Sequence, residues 1–161
     1  MRNLVLRILI GVLAWGGIVV STLALKVHYM DPGAAPPCAV SEHWDCGAVN
    51  HSRFAVFPPR TFDEDPASKK LHIPIAAIGI VGYTAMLFLA GFGRYWALLQ
   101  LAEIGFAAAC FLSYLEAFVL EKWCIYCVWS QSIVTAILLL TIVALILRRR
   151  SVRVFTVGTS S

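Results

Sequence analysis

Four long apolar stretches leave this chain essentially one class of fold. They run from Ile8 to Leu25, Ile73 to Phe92, Tyr95 to Leu120 and Cys124 to Leu147. A membrane span needs about 20 apolar residues, within a range of about 17–25. In lipid every backbone N–H and C=O must be paired internally, so each stretch is expected as a helix rather than an open strand. The composition agrees. The chain is 60% hydrophobic and 14% charged, where a soluble domain is about 45–50% apolar and about 25% charged. The expectation is an all-α membrane protein, a four-transmembrane-helix bundle with an extracytoplasmic capping loop. Residues 1–150 form one domain, loop 26–72 is its only sizeable polar part, and 151–161 is a mobile cytoplasmic tail.

Arg2 and Arg7 precede the first stretch, as in a signal peptide. A signal peptide's apolar core is about 7–15 residues long, and this run is longer and ends in no small-x-small site. An uncleaved first helix is expected.

The net charge of +4 does not point to nucleic acid. The basic residues sit at the ends of apolar stretches, without the aromatic interleaving of an RNA-binding surface. No phosphate-binding glycine loop, H-E-x-x-H or G-x-S-x-G motif is present. One side of the expected bundle holds Arg2, Arg7, Arg94, Arg148, Arg149, Arg150 and Arg153, with no acid. The other holds Lys26, Arg53, Arg60, Lys69, Lys70 and Lys122. Its acids are Asp31, Glu42, Asp45, Asp63, Glu64, Asp65 and Glu121. The triple arginine and the basic N-terminus put both termini in the cytoplasm. Loop 26–72 and the turn 121–123 then face outward.

The loop has its own signals. Asp31-Pro32-Gly33 and Pro36-Pro37 are turn material. Ser41 to Arg53 is expected to contain a short helix. Trp44, Val49, Phe54, Val56 and Phe57 are apolar enough to cap the bundle, and Pro58 to Lys70 reads as a charged connector. Trp15, Trp96, Trp123 and Trp129 fit an aromatic belt at the membrane surfaces.

Five cysteines remain to be explained, and four of them form two pairs. Cys38 and Cys46 have C-x7-C spacing, and Cys124 and Cys127 form C-I-Y-C at the head of the last stretch. Two sulfurs at C-x-x-C spacing on one helical turn can join and part, and the amide dipoles of a helix start acidify a thiol there. Cys127 lies one turn deeper, toward the hydrocarbon. Both pairs fall on the outer side, where disulfides persist. This arrangement suits a relay from an external dithiol to an acceptor dissolved in lipid. Two structural disulfides in a non-enzymatic tetraspan scaffold are an open alternative, and a four-cysteine zinc site is another. Cys110, alone in the third stretch, reads as a small apolar residue.

Glu103 and Glu116 interrupt the third stretch, and an ionisable group inside a membrane is a functional candidate by default. Glu116, about a turn from the outer end, is the candidate for proton relay or for simply reaching the surface. Glu103 is deeper and is expected to be protonated or paired. His28, His43, His51 and His72 lie in or beside the outer loop. They are candidate proton donors, though loop histidines are usually just solvated. Asn50-His51-Ser52 is a formal glycosylation sequon, too close to the cysteines to be used.

Taken together, Cys38-A-V-S-E-H-W-D-Cys46, Ser52, H-I-P-I-A-A-I-G-I-V-G-Y at 72–83 and W-C-I-Y-C at 123–127 resemble the vitamin K epoxide reductase (VKOR) family, bacterial type, over roughly residues 5–147. His72 stands where the bacterial motif has Gly. The resemblance implies a quinone, ubiquinone or menaquinone, inside a four-helix bundle. It also implies a separate thioredoxin-fold (DsbA-like) dithiol carrier, because no fused thioredoxin-like domain is present, and a place in the inner (cytoplasmic) membrane. By it, Cys38 is the outer exchanging thiol, Cys46 the shuttle that bonds Cys124, and Cys127 the quinone-facing thiol. Ser52, Ile75, Ile78, Tyr83 and Gln131 are the implied quinone contacts. Ile75 and Gln131 occupy the positions where epoxide-reducing members carry Asn and Tyr, which favours plain quinone reduction. Quinone-linked oxidants of the DsbB type carry their two cysteine pairs in the reverse order.

Overall fold

A computed structural model of the chain describes residues 2–31, 33, 36–61 and 71–158. The connector expected from Pro58 to Lys70 lies outside the described residues from Phe62 onward.

Each apolar stretch is a helix. α1 spans Arg2–His28, α3 Ile75–Gly91, α4 Tyr95–Leu115 and α5 Ile125–Gly158, while a five-residue helix in the outer loop, α2, spans Cys46–Asn50. α4 continues without a break into one π-helical turn, Glu116–Leu120. Among the described residues, three helical segments are long and apolar enough to cross a membrane: Leu4–His28, Tyr95–Leu120 and Ile125–Arg149. α3, with 17 residues, is shorter. Its stretch was expected to begin at Ile73, but Ile73–Pro74 instead form a strand, β2, antiparallel to β1 at Val56–Phe57. Pro74 then caps the helix, where its missing N–H costs nothing. At the other end Gly93 takes a φ of +67° to turn the chain into α4, a conformation glycine adopts without steric cost. α5 stays helical through Gly158, past Ser151 where the bundle was expected to end.

α1 packs along α3 and α5, and α4 packs on α5 and α3. Lipid tails are as apolar as leucine, so close packing rather than burial from water holds such helices together. Ile10, Ala14, Leu98, Ala102 and Ile137 are completely buried along the seams. Gly17 shows how close the approach is. A Cβ there would lie 2.4 Å from the Tyr83 ring. The outward faces carry Val12, Val81, Phe88 and Leu139, and Thr22, Thr84, Thr135 and Thr141 each return their hydroxyl to the carbonyl one turn back. The chain is a helical membrane protein.

The helices alternate in direction. The C-terminus of α1, the N-termini of α3 and α5 and the π-turn therefore meet at one end. The opposite end is basic. Arg7 Nε donates to the Ala90 carbonyl at 3.1 Å, and the Arg149 guanidinium lies 5.2 Å from the Trp96 ring centre. Trp15 departs from the expected belt, since it sits in the middle of α1 and is 61% exposed.

The long polar loop between α1 and α3 is folded down on the cysteine end. Its helix is shorter than the Ser41–Arg53 segment suggested. The Asp45 carboxylate accepts from the Ala48 N–H at 3.0 Å and starts α2, as an N-cap aspartate does. Residues before it are extended, because Trp44 forms a parallel bridge with Trp123. Val49 and Val56 are buried, while Trp44 is half-exposed and Phe57 faces outward. Only part of the apolar set therefore caps the bundle. Asp31 Oδ1 accepts from the Gly33 N–H at 3.0 Å, closing the turn read there.

Candidate active site

Two backbone hydrogen bonds bring the cysteine pairs together. The Asp45 N–H donates to the Trp123 carbonyl at 3.0 Å, and the Trp123 N–H donates to the His43 carbonyl at 2.7 Å. Each tie sits one residue before a cysteine. Cys46 opens α2 beside Cys124, which immediately precedes α5 and gives its carbonyl to the Val128 N–H at 3.0 Å. Cys38, Cys46 and Cys124 belong to one small core with Val27 and Val49, against which Cys127 packs. Cys46 and Cys124 are completely buried, and Cys38 nearly so.

Cys38 and Cys46 are joined in a disulfide, their Cα atoms 5.8 Å apart. Cys124 and Cys127 are free thiols. With the outer pair bonded, four thiolates are not available to one zinc ion.

Asn50 links the pairs. Its side-chain amide donates to the Cys46 carbonyl at 2.9 Å and to the Cys124 sulfur at 3.6 Å. The sequon reading missed this role. The signal was present, since Asn50 is four residues after Cys46 and so on the same helical face. Glu116 grips the same cysteine from the other side. Oε2 accepts from the Cys124 N–H at 3.1 Å, while Oε1 is buried without a hydrogen-bond partner. The hydrogen-bonding Cys127 thiol is the largest influence on Cys124 and holds it below the usual thiol range. The N–H groups of Cys127 and Tyr126 act in the same direction, against burial and the Glu116 carboxylate.

Behind Cys127 a cavity of about 270 Å³ opens among α1, α3, α4 and α5. A cavity of about 150 Å³ already accepts a benzene ring. Most of its wall is apolar, including Ile75 and Ile78 of α3. Polar residues in its lining include Ser21, Asn50, Ser52, Tyr83, Glu116 and Ser130. Tyr83 donates its hydroxyl to the Ser130 carbonyl at 2.8 Å and lies 2.8 Å from the Ser130 hydroxyl. The Ser52 hydroxyl is buried with no partner. An apolar slot with an orphaned hydroxyl and a nearby thiol fits a flat, dicarbonyl ring such as a quinone.

Four of the five expected quinone contacts, Ser52, Ile75, Ile78 and Tyr83, therefore line one cavity. Gln131 is the exception. Its side-chain amide faces the α4–α5 seam and donates to the Cys110 sulfur at 3.4 Å. An ungapped register cannot reveal this, because the facing of a residue depends on how its helix is rotated. Glu103 lies exposed on the outer face of α4, away from the cavity. Three of the four histidines brace the loop rather than the cavity. His28 Nδ1 lies 2.6 Å from the Asn50 carbonyl, and His51 Nε2 lies 3.0 Å from that of Met30. His72 Nδ1 lies 2.8 Å from the Pro58 carbonyl.

A helical membrane protein with an oxidised cysteine pair on its capping loop beside a reduced C-x-x-C, the latter opening onto an apolar cavity, has the features of a membrane redox enzyme. The chain matches the vitamin K epoxide reductase family over residues 8–142. It belongs to that family. A search among curated proteins returned no match.

Proposed function

We propose that the protein is a quinone-dependent thiol-disulfide oxidoreductase that generates disulfides on the outer side of the inner membrane. The burial of Cys46 and Cys124 in one small core, tied by the Asn50 amide on the Cys124 sulfur, with Cys127 lining the cavity, carries this reading. In it α3 is the fourth span, both termini are cytoplasmic and all four cysteines are extracytoplasmic. The arginines at the end opposite the cysteines support that orientation.

The outer disulfide is the one a partner meets. A thioredoxin-fold dithiol carrier, a separate protein, attacks Cys38 and leaves oxidised, and Cys46 is released as a thiolate. Cys38 is only 4% exposed, so the segment around it lifts for this exchange. Cys46 next attacks Cys124 of an inner disulfide, and Cys127 departs. Cys38 then attacks Cys46, re-forming the outer disulfide and expelling Cys124. A thiolate held below the usual thiol range is a good leaving group, and Asn50 donates to the sulfur that acquires the charge. A quinone, ubiquinone or menaquinone, bound in the cavity supplies a two-electron, two-proton acceptor for re-forming the inner disulfide. Ile75, Ile78, Ser52 and Tyr83 would hold it, the isoleucines against its ring, the Ser52 hydroxyl as a donor, and Tyr83, held by Ser130, as part of the wall. The bonded outer pair and free inner pair correspond to the stage just before that acceptor acts.

The test is loss of quinone absorbance with purified protein and a reduced thioredoxin-fold carrier. Turnover that requires Cys38, Cys46, Cys124 and Cys127 is expected. No loss with either quinone class, together with cysteines that resist mild reduction, would leave a structural-disulfide scaffold as the better account.

A further inference from the structure

Glu116 is the most deeply buried ionisable carboxyl among the described residues, 2% exposed at the start of the π-turn. Its two oxygens are not equivalent. Oε2 is held by the Cys124 N–H at 3.1 Å. Oε1 is buried without a hydrogen-bond partner. The residue lines the cavity together with Cys127, and the Cys127 thiol is its side-chain neighbour. A buried carboxyl oxygen left unpaired is costly. That cost is relieved whenever the oxygen carries a proton or takes one from the adjacent thiol.

We propose that Glu116 is the proton acceptor of Cys127, taking the thiol proton on Oε1 as the inner disulfide forms and passing it into the cavity. The inference rests on the redox reading of the cysteines, and it assigns a group to a proton that the cysteines alone leave unplaced. The Cys124 thiolate and the Cys127 thiol together lose two electrons to a two-electron acceptor, and the S–S bond forms. The Cys127 S–H bond breaks, and its proton converts the Glu116 carboxylate to the acid. Glu116 then returns the proton to the reduced acceptor. The acceptor's second proton is the one Cys124 shed on ionising, supplied from the aqueous loop side. The anchored oxygen keeps the carboxyl in place while the free oxygen works. Glu103, exposed on α4 away from the cavity, has no such geometry.

The decisive measurement needs no quinone. Full-length protein is reduced, then oxidised with diamide, which takes two electrons and draws its two protons from water rather than from the cavity, so that the Cys127 proton stays on Glu116, and infrared difference spectra are recorded. A protonated-carboxyl C=O band is expected to appear on oxidation. It should vanish in Glu116→Gln and persist in Glu103→Gln. A wild-type spectrum without the band, or a band that survives Glu116→Gln, overturns the proposal. The kinetic companion is a split between half-reactions. Glutamine can still accept from the Cys124 N–H but cannot carry a proton. Quinone reduction should therefore slow by about 100-fold, the order expected for loss of a proton-transfer group, while carrier-to-Cys124 exchange stays within about 2-fold. Equal loss of both would mark Glu116 as merely structural and sink the idea. Glu116→Asp, which restores the proton carrier, should recover part of the quinone step. A carboxyl band without quinone turnover would refute the quinone reading and leave this inference standing. Quinone turnover without the band would do the reverse.

Discussion

The two ends of the bundle are built on opposite principles. At the basic end, Ile10, Leu98, Ala102 and Ile137 fill the seams completely, and Thr141 satisfies itself on the Ile137 carbonyl at 2.7 Å. At the cysteine end, α4 loosens into a π-turn and Glu121 adopts a left-handed φ of 51°. Buried oxygens of Ser52 and Glu116 also lack partners there. Such irregularities cost stability and persist where they position chemistry. One end supplies rigidity, and the other converts part of it into reactive geometry.

The sharpest way to break this contrast is to remove a sulfur. Cys124→Ala or Cys127→Ala should abolish quinone reduction, while the thermal midpoint shifts by only a few degrees. A large fall in that midpoint would mean the pair is a staple. The converse substitution is Ile137→Ala. It should destabilise by about 2–5 kcal/mol, read from thermal unfolding, yet leave turnover in the folded fraction nearly unchanged.

Asn50→Ala should act between these extremes. It removes the side-chain amide that donates to the Cys124 sulfur. A hydrogen bond to a charged group is worth about 1.5–3 kcal/mol, so iodoacetamide should alkylate Cys124 at neutral pH about 10-fold more slowly. An unchanged rate would remove Asn50 from the mechanism.

The pH response sharpens the same point. The Cys124 thiol is held below its ordinary range, chiefly by Cys127, and an unfolded thiol titrates near about 8.5. Its thiolate therefore stabilises the reduced fold fully above about 8.5, and that contribution is lost as pH falls through the lowered folded value. The thermal midpoint of the reduced protein should rise with pH across that window, and Cys124→Ser should flatten the slope. The smallest effects separate the cavity from its surroundings. Ser52→Ala should raise the KM for quinone by about 3–10-fold, the loss of one hydrogen bond. Gln131→Ala, turned toward Cys110, should leave it unchanged.

The helices and the cysteine end were legible from local information. Apolar runs long enough to span lipid must be helical, and C-I-Y-C beside a basic-flanked stretch marks a reactive helix start. The short α3 was misread at its head because Ile73 looks the same in a helix as in a strand. Only its pairing with Phe57 tells them apart. Asn50, read as part of a sequon, and Gln131, read as a quinone contact, were assigned from sequence position alone.

What the sequence determined by itself is therefore the class, a helical membrane protein, and its family. It also marked out which cysteines pair by spacing. Those properties depend on residues near one another along the chain. Only the tertiary structure decided that Asn50 reaches a sulfur 74 residues away. It alone buried Glu116 against the cavity, left Glu103 facing outward and turned Gln131 aside. Each of these depends on helix rotation and on a two-bond bridge between Trp44 and Trp123. Packing sets such relations between distant segments, and no local pattern encodes them.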